Sequence, residues 1–306
     1  MLSVIIVTYN GMKWLAKCLA SIPKEYNMVI VDNNSTDTTV QFIEQNYPQA
    51  KLFKEKENLG FGQANNKGIS YALQQGAKYV YLLNQDAYLE ADTIDKLVKV
   101  HQSQPSYGIL SPIHINAEKT RLDAGFSLYV SYKHNPHFYS DFVLQKSKQE
   151  VYEVPFVNAA GWLVSREVLL NVGGFDPIFF HYGEDDNYTQ RVRYHNFKVG
   201  VVSNSFMVHD REDRVLKKLR YGSEAYFKQR EKELKVKYAN INNPNVEEYN
   251  RRLAKTNKNY IQQLMFLKFK NAKKHKEMYR FLLRIKAEIE NSLIKNKKLG
   301  SWYLNV

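Results

Sequence analysis

An α/β fold, a mostly parallel sheet flanked by helices, is what this 306-residue sequence predicts, on three observations. Between residues 2 and 83, short apolar β-branched runs alternate with segments of helical period, the β-α-β-α pattern of a parallel sheet. The runs are apolar throughout instead of alternating, as strands buried on both faces are. Three of them stop abruptly in polar clusters, Thr8-Tyr9-Asn10, residues 32–35 and Asn84-Gln85-Asp86. Polar side chains at successive carboxyl edges of a parallel sheet converge on one crevice.

The elements follow in order. Residues 2–7 read as a buried strand ending in a turn at Asn10-Gly11, and a short helix follows with Trp14, Leu15, Cys18 and Leu19 on one face. Residues 28–31 are the second strand; after it Asp37 is placed to cap a helix carrying Val40, Phe42 and Ile43. Residues 51–53 are a short strand, and Asn58-Leu59-Gly60 opens a helix with Ile69, Ala72 and Leu73 inward. Residues 79–83 form the fourth strand, 92–101 an amphipathic helix, and 107–113 a fifth strand. Residues 114–152 are aromatic without clear period, which leaves a β-hairpin and a long loop both open. Residues 154–157 are another apolar run. Ser165 is placed to N-cap a short helix that Gly173-Gly174 ends. The acidic cluster Glu184-Asp185-Asp186 opens a helix reaching about residue 195, as the positive helix end favours. Residues 199–202 are a strand. Beyond it, helices are expected over 215–237, 246–270 and 276–296, the last with an apolar stripe of Met278, Phe281, Leu282, Ile285 and Ile289.

Charge divides the chain in two. Residues 211–306 hold 25 Lys/Arg and 10 Asp/Glu, whereas residues 1–210 hold 19 and 21. A nearly neutral domain over 1–210 and a basic, mainly helical extension over 211–306 are therefore expected. The single cysteine, Cys18, excludes an internal disulfide framework and suits a reducing compartment. The first residues lack a charged leader and a small-residue cleavage site, and no run approaches the roughly 20 apolar residues that span a bilayer. A cytoplasmic location is expected. No Gly-x-Gly-x-x-Gly follows the first strand and no Gly-x-x-x-x-Gly-Lys-Ser/Thr is present, so neither a dinucleotide fingerprint nor a phosphate-cradling glycine loop is available.

Taken alone, Asp86 reads either as a turn-forming carboxylate or as an oxygen ligand for a divalent metal on a phosphate. The motifs together decide between the two. Residues 2–10, Val31 to Asp37, Asn58-Leu59-Gly60-Phe61-Gly62, Leu83-Asn84-Gln85-Asp86, Val172-Gly173-Gly174-Phe175-Asp176 and Tyr182-Gly183-Glu184-Asp185 stand in the order of the family-2 inverting glycosyltransferases of GT-A fold, which residues 1–210 resemble. The branch most resembled contains rhamnosyltransferase-like enzymes of bacterial cell-surface polysaccharide assembly. The resemblance implies a nucleotide-diphosphate sugar donor held by Thr8, Tyr9, Asn10, Asp32, Asn34, Asn58, Gly60, Asn65, Asn84 and Asp86. It implies Mn²⁺ or Mg²⁺ on Asp86 with His209, and Asp185 as general base. Asn84 stands where the family's metal motif has its first Asp and supplies a weaker neutral oxygen. Asn187 stands where many relatives carry a further acid.

An inverting transfer is one displacement at the anomeric carbon. It needs a base facing the acceptor hydroxyl and charge neutralisation on the departing diphosphate. Asp185 and Asp86 divide that labour. Trp162 reads either as core or as an acceptor-side aromatic, and Glu184 as an acceptor-side acid. The acceptor implied is a glycan or a lipid-linked glycan. The basic tail reads as a solvated helical layer, a contact for an anionic membrane surface, or a partner or self-association helix. Nucleic acid is not expected, because the neutral first half continues no basic surface. The alternative to an enzyme is a non-catalytic nucleotide-sugar or glycan-binding module whose basic tail recruits partners.

Overall fold

Strands β1 (Leu2–Thr8), β2 (Asn27–Asp32), β3 (Lys51–Lys54) and β4 (Tyr79–Asn84) run parallel, with Thr8 level with Asp32 and Val7 level with Asn84. This computed structural model describes residues 1–211 and 219–306. The strands are joined by α1 (Leu15–Ala20), α2 (Thr39–Asn46) and α3 (Gly60–Gln74). The register brings the polar ends of β1, β2 and β4 to one edge, as their abrupt loss of apolar character predicts. Alternate residues serve opposite faces: Ile5 packs with Ile69, Ala72 and Leu73 of α3, whereas Val4 and Ile6 pack with Leu15, Cys18 and Leu19 of α1.

Beyond β4 come β5 (Ala87–Leu89), α4 (Thr93–Ser103), β6 (Tyr107–Ile115), α5 (Ala124–Tyr129), α6 (Phe138–Val143), β7 (Val151–Glu153), β8 (Gly161–Ser165), α7 (Arg166–Val172), α8 (Glu184–Tyr194) and β9 (Lys198–His209). The sheet order is β3-β2-β1-β4-β8-β6-β9-β5, with β7 also on β9. Strand β8 lies antiparallel between β4 and β6, and β5 and β7 lie antiparallel on β9. The sheet is therefore mixed but parallel through its first half.

Several elements depart from expectation. Val154 and Val157 are buried, yet the run 154–157 is not a strand. Val154 N still donates to Val199 O, but Pro155 lacks the N–H a ladder needs, so pairing goes no further. Residues 114–152 form a short antiparallel turn bridging Ile115 and Leu122, the helices α5 and α6 and the strand β7, so the hairpin expected there is limited to its first residues. The expected strand 199–202 continues to His209, because Ser203 and Ser205 are buried within it. Ser165 does cap α7, accepting from the Val168 N–H, and Gly173 ends that helix at φ +85°.

Two units result, Met1–Arg214 with Leu299–Val306, and Val215–Lys298. The last eight residues return to the first unit: Gly174 N donates to Trp302 O at 2.8 Å, and Asn305 N donates to Ser70 Oγ at 3.0 Å. An extension running unbroken from 211 to 306 is thus not what the chain forms.

The second unit contains α9 (Glu224–Tyr238), α10 (Val246–Met265) and α11 (Phe269–Asn296). Of the helix expected over 215–237, residues 215–218 lie outside the described ones. The expected apolar stripe is largely buried: Leu282 and Ile285 are fully covered, Phe281 meets the Phe227 ring at 5.1 Å, and Tyr249 donates to Leu282 O. Four of its five members, all but the half-buried Met278, are therefore core and not a membrane or partner face.

Candidate functional site

At the shared edge of β1 and β2, Thr8 and Asp32 are buried and joined, Thr8 Oγ1 donating to Asp32 Oδ2 at 3.0 Å. The same carboxylate accepts from Ser35 N and Ser35 Oγ, so its hydrogen bonds organise the loop that follows β2. Asn10, at φ +48°, takes its own N–H to Ser35 Oγ and accepts Thr36 N–H at 2.8 Å. Asn34 is exposed at φ +68°, a conformation that Asn tolerates better than most residues. Tyr9 is exposed, and its backbone is clasped by Gln85, whose Oε1 accepts Tyr9 N–H and whose Nε2 donates to Tyr9 O.

Asn33 ties this edge to the start of α3. Its Nδ2 donates to Gly60 O and its Oδ1 accepts from Leu59 N, while Asn58 Oδ1 accepts from Gly60 N. Gly60 has φ +78°, and a Cβ there would stand 1.9 Å from the Phe180 carbonyl oxygen. Only glycine fits this approach of α3 to the loop that leads into α8. Asn65 is buried, and its amide donates to Phe61 O one turn back. Its expected place against a donor is corrected to one inside the helix, because the buried amide is spent on its own backbone.

The turn after β4 places Asp86, and β5 explains what it meets. Ala87 stands opposite His209 in the β5–β9 ladder, and Asp210 N donates to Asp86 O. Asp86 Oδ1 is thereby 3.6 Å from His209 Nε2, and Asp123 Oδ2 is 3.6 Å from His209 Nδ1. Both separations exceed a hydrogen bond. Asn84 Oδ1 is buried with no hydrogen-bond partner.

Asp123 caps α5 by accepting Phe126 N–H and receives Arg211 in a two-point bond, Nε at 2.9 Å and a terminal nitrogen at 2.7 Å. Burial works to raise its carboxyl, but Arg211, the Phe126 N–H and the His209 charge outweigh burial and hold it at about 2. Next to it, burial and then His209 push His114 well below the usual imidazole range.

Tyr129, at the end of α5, joins this group to the acidic cluster. Burial and then the charge of Asp185 raise its phenol to about 12, with Asp123 adding to the rise and Arg211 opposing it. Arg211 in turn responds to Asp86. The charges of Asp185 and Asp123 thus act on Tyr129, and that of Asp86 acts on Arg211.

Tyr182 and Gly183 both take left-handed backbone, φ +67° and +95°, to start α8. Asp185 is half-buried on its first turn, with Oδ1 accepting Asp186 N–H. Glu184 turns inward and is 3% exposed, which corrects the expectation of an acceptor-side acid. Burial, then the charge of Asp185, raises its carboxyl to about 8, so it is the protonated partner at neutral pH. Trp162 is corrected too. It is fully buried, 6.1 Å from the Phe175 ring and 5.8 Å from Tyr188, and belongs to the core. A separate hollow of about 1100 Å³ is lined by Met1, Asn27 and Met28, at the amino ends of the strands and away from this edge.

The Glycosyl transferase family 2 profile matches residues 3–173, more than half of the sequence. The chain belongs to that family. It is 26% identical over 204 residues to the low-salt glycan biosynthesis hexosyltransferase of Haloferax volcanii, covering 65% of this chain and 64% of that protein. It is 28% identical to the N-acetylglucosaminyl-diphospho-decaprenol L-rhamnosyltransferase of Mycobacterium tuberculosis, covering 60% and 67%. The fold matches Staphylococcus aureus TarS 1-349 in complex with UDP, at a TM-score of 0.54 and 19% identity over 80% of this chain and 66% of that one. A glycosyltransferase of this family with a GT-A fold is what the six motifs predicted. Asp123, Arg211 and Tyr129 were not among the predicted site residues. The pair Asp123–Arg211 is 88 positions apart, and its only local trace is a cap signal at Asp123.

Proposed function

We propose that this glycosyl transferase family 2 protein moves a sugar, with inversion, from a nucleotide-diphosphate sugar to a hydroxyl of a glycan or lipid-linked acceptor at the inner face of the cytoplasmic membrane. Asp185 is the base. The acceptor oxygen bonds to the anomeric carbon as the bond to the diphosphate oxygen breaks, and the hydroxyl proton passes to the Asp185 carboxylate. The observation that carries this reading is the contrast between two neighbouring acids. Glu184 is buried, and burial favours its protonated form, whereas Asp185 is half-buried on the same turn with a face open to an acceptor. Environments that push adjacent carboxyls apart are how acid and base roles are assigned.

The donor lies along the edge formed by Tyr9, Asn10, Asn34 and the Asn58-Gly60 turn, with Thr8 and Asp32 holding that edge from beneath. The residues at Asp86 fit a divalent ion. A carboxylate oxygen and a buried imidazole nitrogen stand 3.6 Å apart, and Asn84 Oδ1 nearby has no partner. Among the described residues no three His, Cys, Asp or Glu side chains gather as a metal cage. Asp86 and His209 would therefore hold Mn²⁺ or Mg²⁺ together with diphosphate oxygens, as such ions are commonly bound. When bound, the ion neutralises charge on the departing diphosphate. Arg211 is committed to Asp123 and so fixes the Asp123 carboxylate behind His209.

The test is transfer and donor binding by Asp185→Asn and Asp86→Ala, screened with UDP-, dTDP- and GDP-sugars and Mn²⁺. Asp185→Asn should lose about 10²- to 10⁴-fold in transfer while still binding donor. Asp86→Ala should bind donor more weakly when Mn²⁺ is present. Both variants transferring sugar at the parent rate would overturn the site assignment.

A further inference from the structure

The second unit exposes a run of large apolar residues at the turn between α10 and α11, whereas its other exposed aliphatics on α11, Leu283 and Ile294, stand singly. Met265 is 77% exposed, Leu267 72%, Phe269 64% and Phe266 62%, and Ile261 and Leu264 are exposed beside them. The other end of the same hairpin is packed: Tyr249, Leu282, Ile285 and Ile289 are all buried. With 20 residues, α10 sets the tip about 30 Å from its own start.

The turn is built, not frayed. Leu267 N donates to Leu264 O and Lys268 N to Gln263 O, the paired bonds that close a helix carboxyl end. Leu267 occupies the left-handed position of that closure at φ +54°, where glycine or asparagine is favoured. A large apolar residue there is costly in backbone strain and leaves its side chain in water.

The charge around the tip is one-sided. Between Glu248 and Glu277 there are nine Lys and Arg and no Asp or Glu. Lys268, Lys270, Lys273 and Lys274 are exposed within two turns of the apolar residues. Apolar side chains at a convex end, collared by lysine, match a surface that is anionic outside and hydrocarbon within. A second copy of this chain would bring an equally cationic tip against it. Among the described residues no helix is long and apolar enough to cross a bilayer, so the contact is interfacial.

We propose that the α10–α11 tip anchors the protein to an anionic lipid surface, Met265, Phe266, Leu267 and Phe269 entering the headgroup boundary while the flanking lysines meet lipid phosphates. The anchor stands apart from the transfer chemistry, and vesicle binding without donor or acceptor tests it separately.

Full-length protein is floated with vesicles of phosphatidylcholine alone or mixed equally with phosphatidylglycerol. Binding to the mixed vesicles is expected, weakening as NaCl rises. Met265→Ser/Phe266→Ser/Phe269→Ser should weaken it by at least about tenfold. Lys268→Gln/Lys270→Gln/Lys273→Gln/Lys274→Gln should weaken it on mixed vesicles only. Leu267→Gly removes the strained backbone, so it should weaken binding while raising the helical melting temperature. That variant separates loss of anchoring from loss of fold. Equal binding to both vesicle types, unchanged binding by the serine variant, or a tip-dependent dimer with no lipid binding would each overturn the proposal.

Discussion

Replacing Glu184 by Gln asks whether a buried acid is held neutral beside the base. The folded protein raises this carboxyl from 4.5 to about 8, through burial and then the nearby Asp185 charge. A raised carboxyl favours the folded state only while it is protonated. That advantage is complete below about pH 4.5, shrinks above it, and is gone once the pH passes 8. At about 1.4 kcal/mol per pH unit, with the slope levelling off near each end, the stability lost between pH 5 and pH 8 is about 3–4 kcal/mol. Glutamine has the same shape and no proton to lose, so Glu184→Gln should remove that slope and be about 3–4 kcal/mol more stable than the parent at pH 8, relative to pH 5. Urea unfolding followed by tryptophan fluorescence measures it selectively, because Trp14, Trp162 and Trp302 all lie in the first unit. The variant should keep transfer activity at neutral pH, since the amide resembles the protonated acid. Parallel stability curves for parent and variant from pH 5 to pH 8 would refute the assignment of Glu184 as the neutral partner.

Two further changes probe the surroundings. Trp162→Ala should cost about 3–5 kcal/mol in urea unfolding, as truncating a large core aromatic does, and leave the acceptor KM of the remaining folded enzyme unchanged; a raised KM would return Trp162 to the acceptor side. Arg211→Gln should cost about 3 kcal/mol at neutral pH by leaving the Asp123 carboxylate buried without its guanidinium, and should raise the Asp123 carboxyl above about 2. The parent's contribution from this pair is present above about pH 4 and lost as the pH falls through about 2, so the two proteins should converge in strong acid. A constant difference down to pH 2 would exclude the pair as the cause.

Strands β1 to β4 were legible because burial on both faces writes itself as an unbroken apolar run. The polar edge was legible because such runs end where solvent or ligand begins. What stayed hidden was set by partners distant along the chain. Strand β5 has three residues and no pattern of its own; it exists because β9 continues past Ser203 and Ser205 to meet it. That ladder brings Asp86 to His209, yet neither residue carries a local sign of the other. The Asp123–Arg211 pair is likewise a long-range contact. Residues 154–157 misled because hydrophobicity reports burial, and Pro155 ends the ladder one residue into a buried segment. The stripe on α11 was correctly apolar, but period alone does not say whether a helix face meets its own unit or a partner. Exposure at the α10–α11 turn was invisible for the same reason.

The return of residues 299–306 to the first unit means that Val215–Lys298 is an insertion in its chain and not a free tail. Trp302 stoppers the glycine pair at 173–174, where a side chain on Gly173 would stand 2.4 Å from the Trp302 carbonyl oxygen. Trimming the basic helices from the carboxyl side therefore also uncorks the end of α7, and a chain cut at 214 would lose more than its basic helices. Excising the helices internally and rejoining the backbone on either side keeps the stopper in place. A single proteolytic nick among the helices would leave both fragments held to the same body.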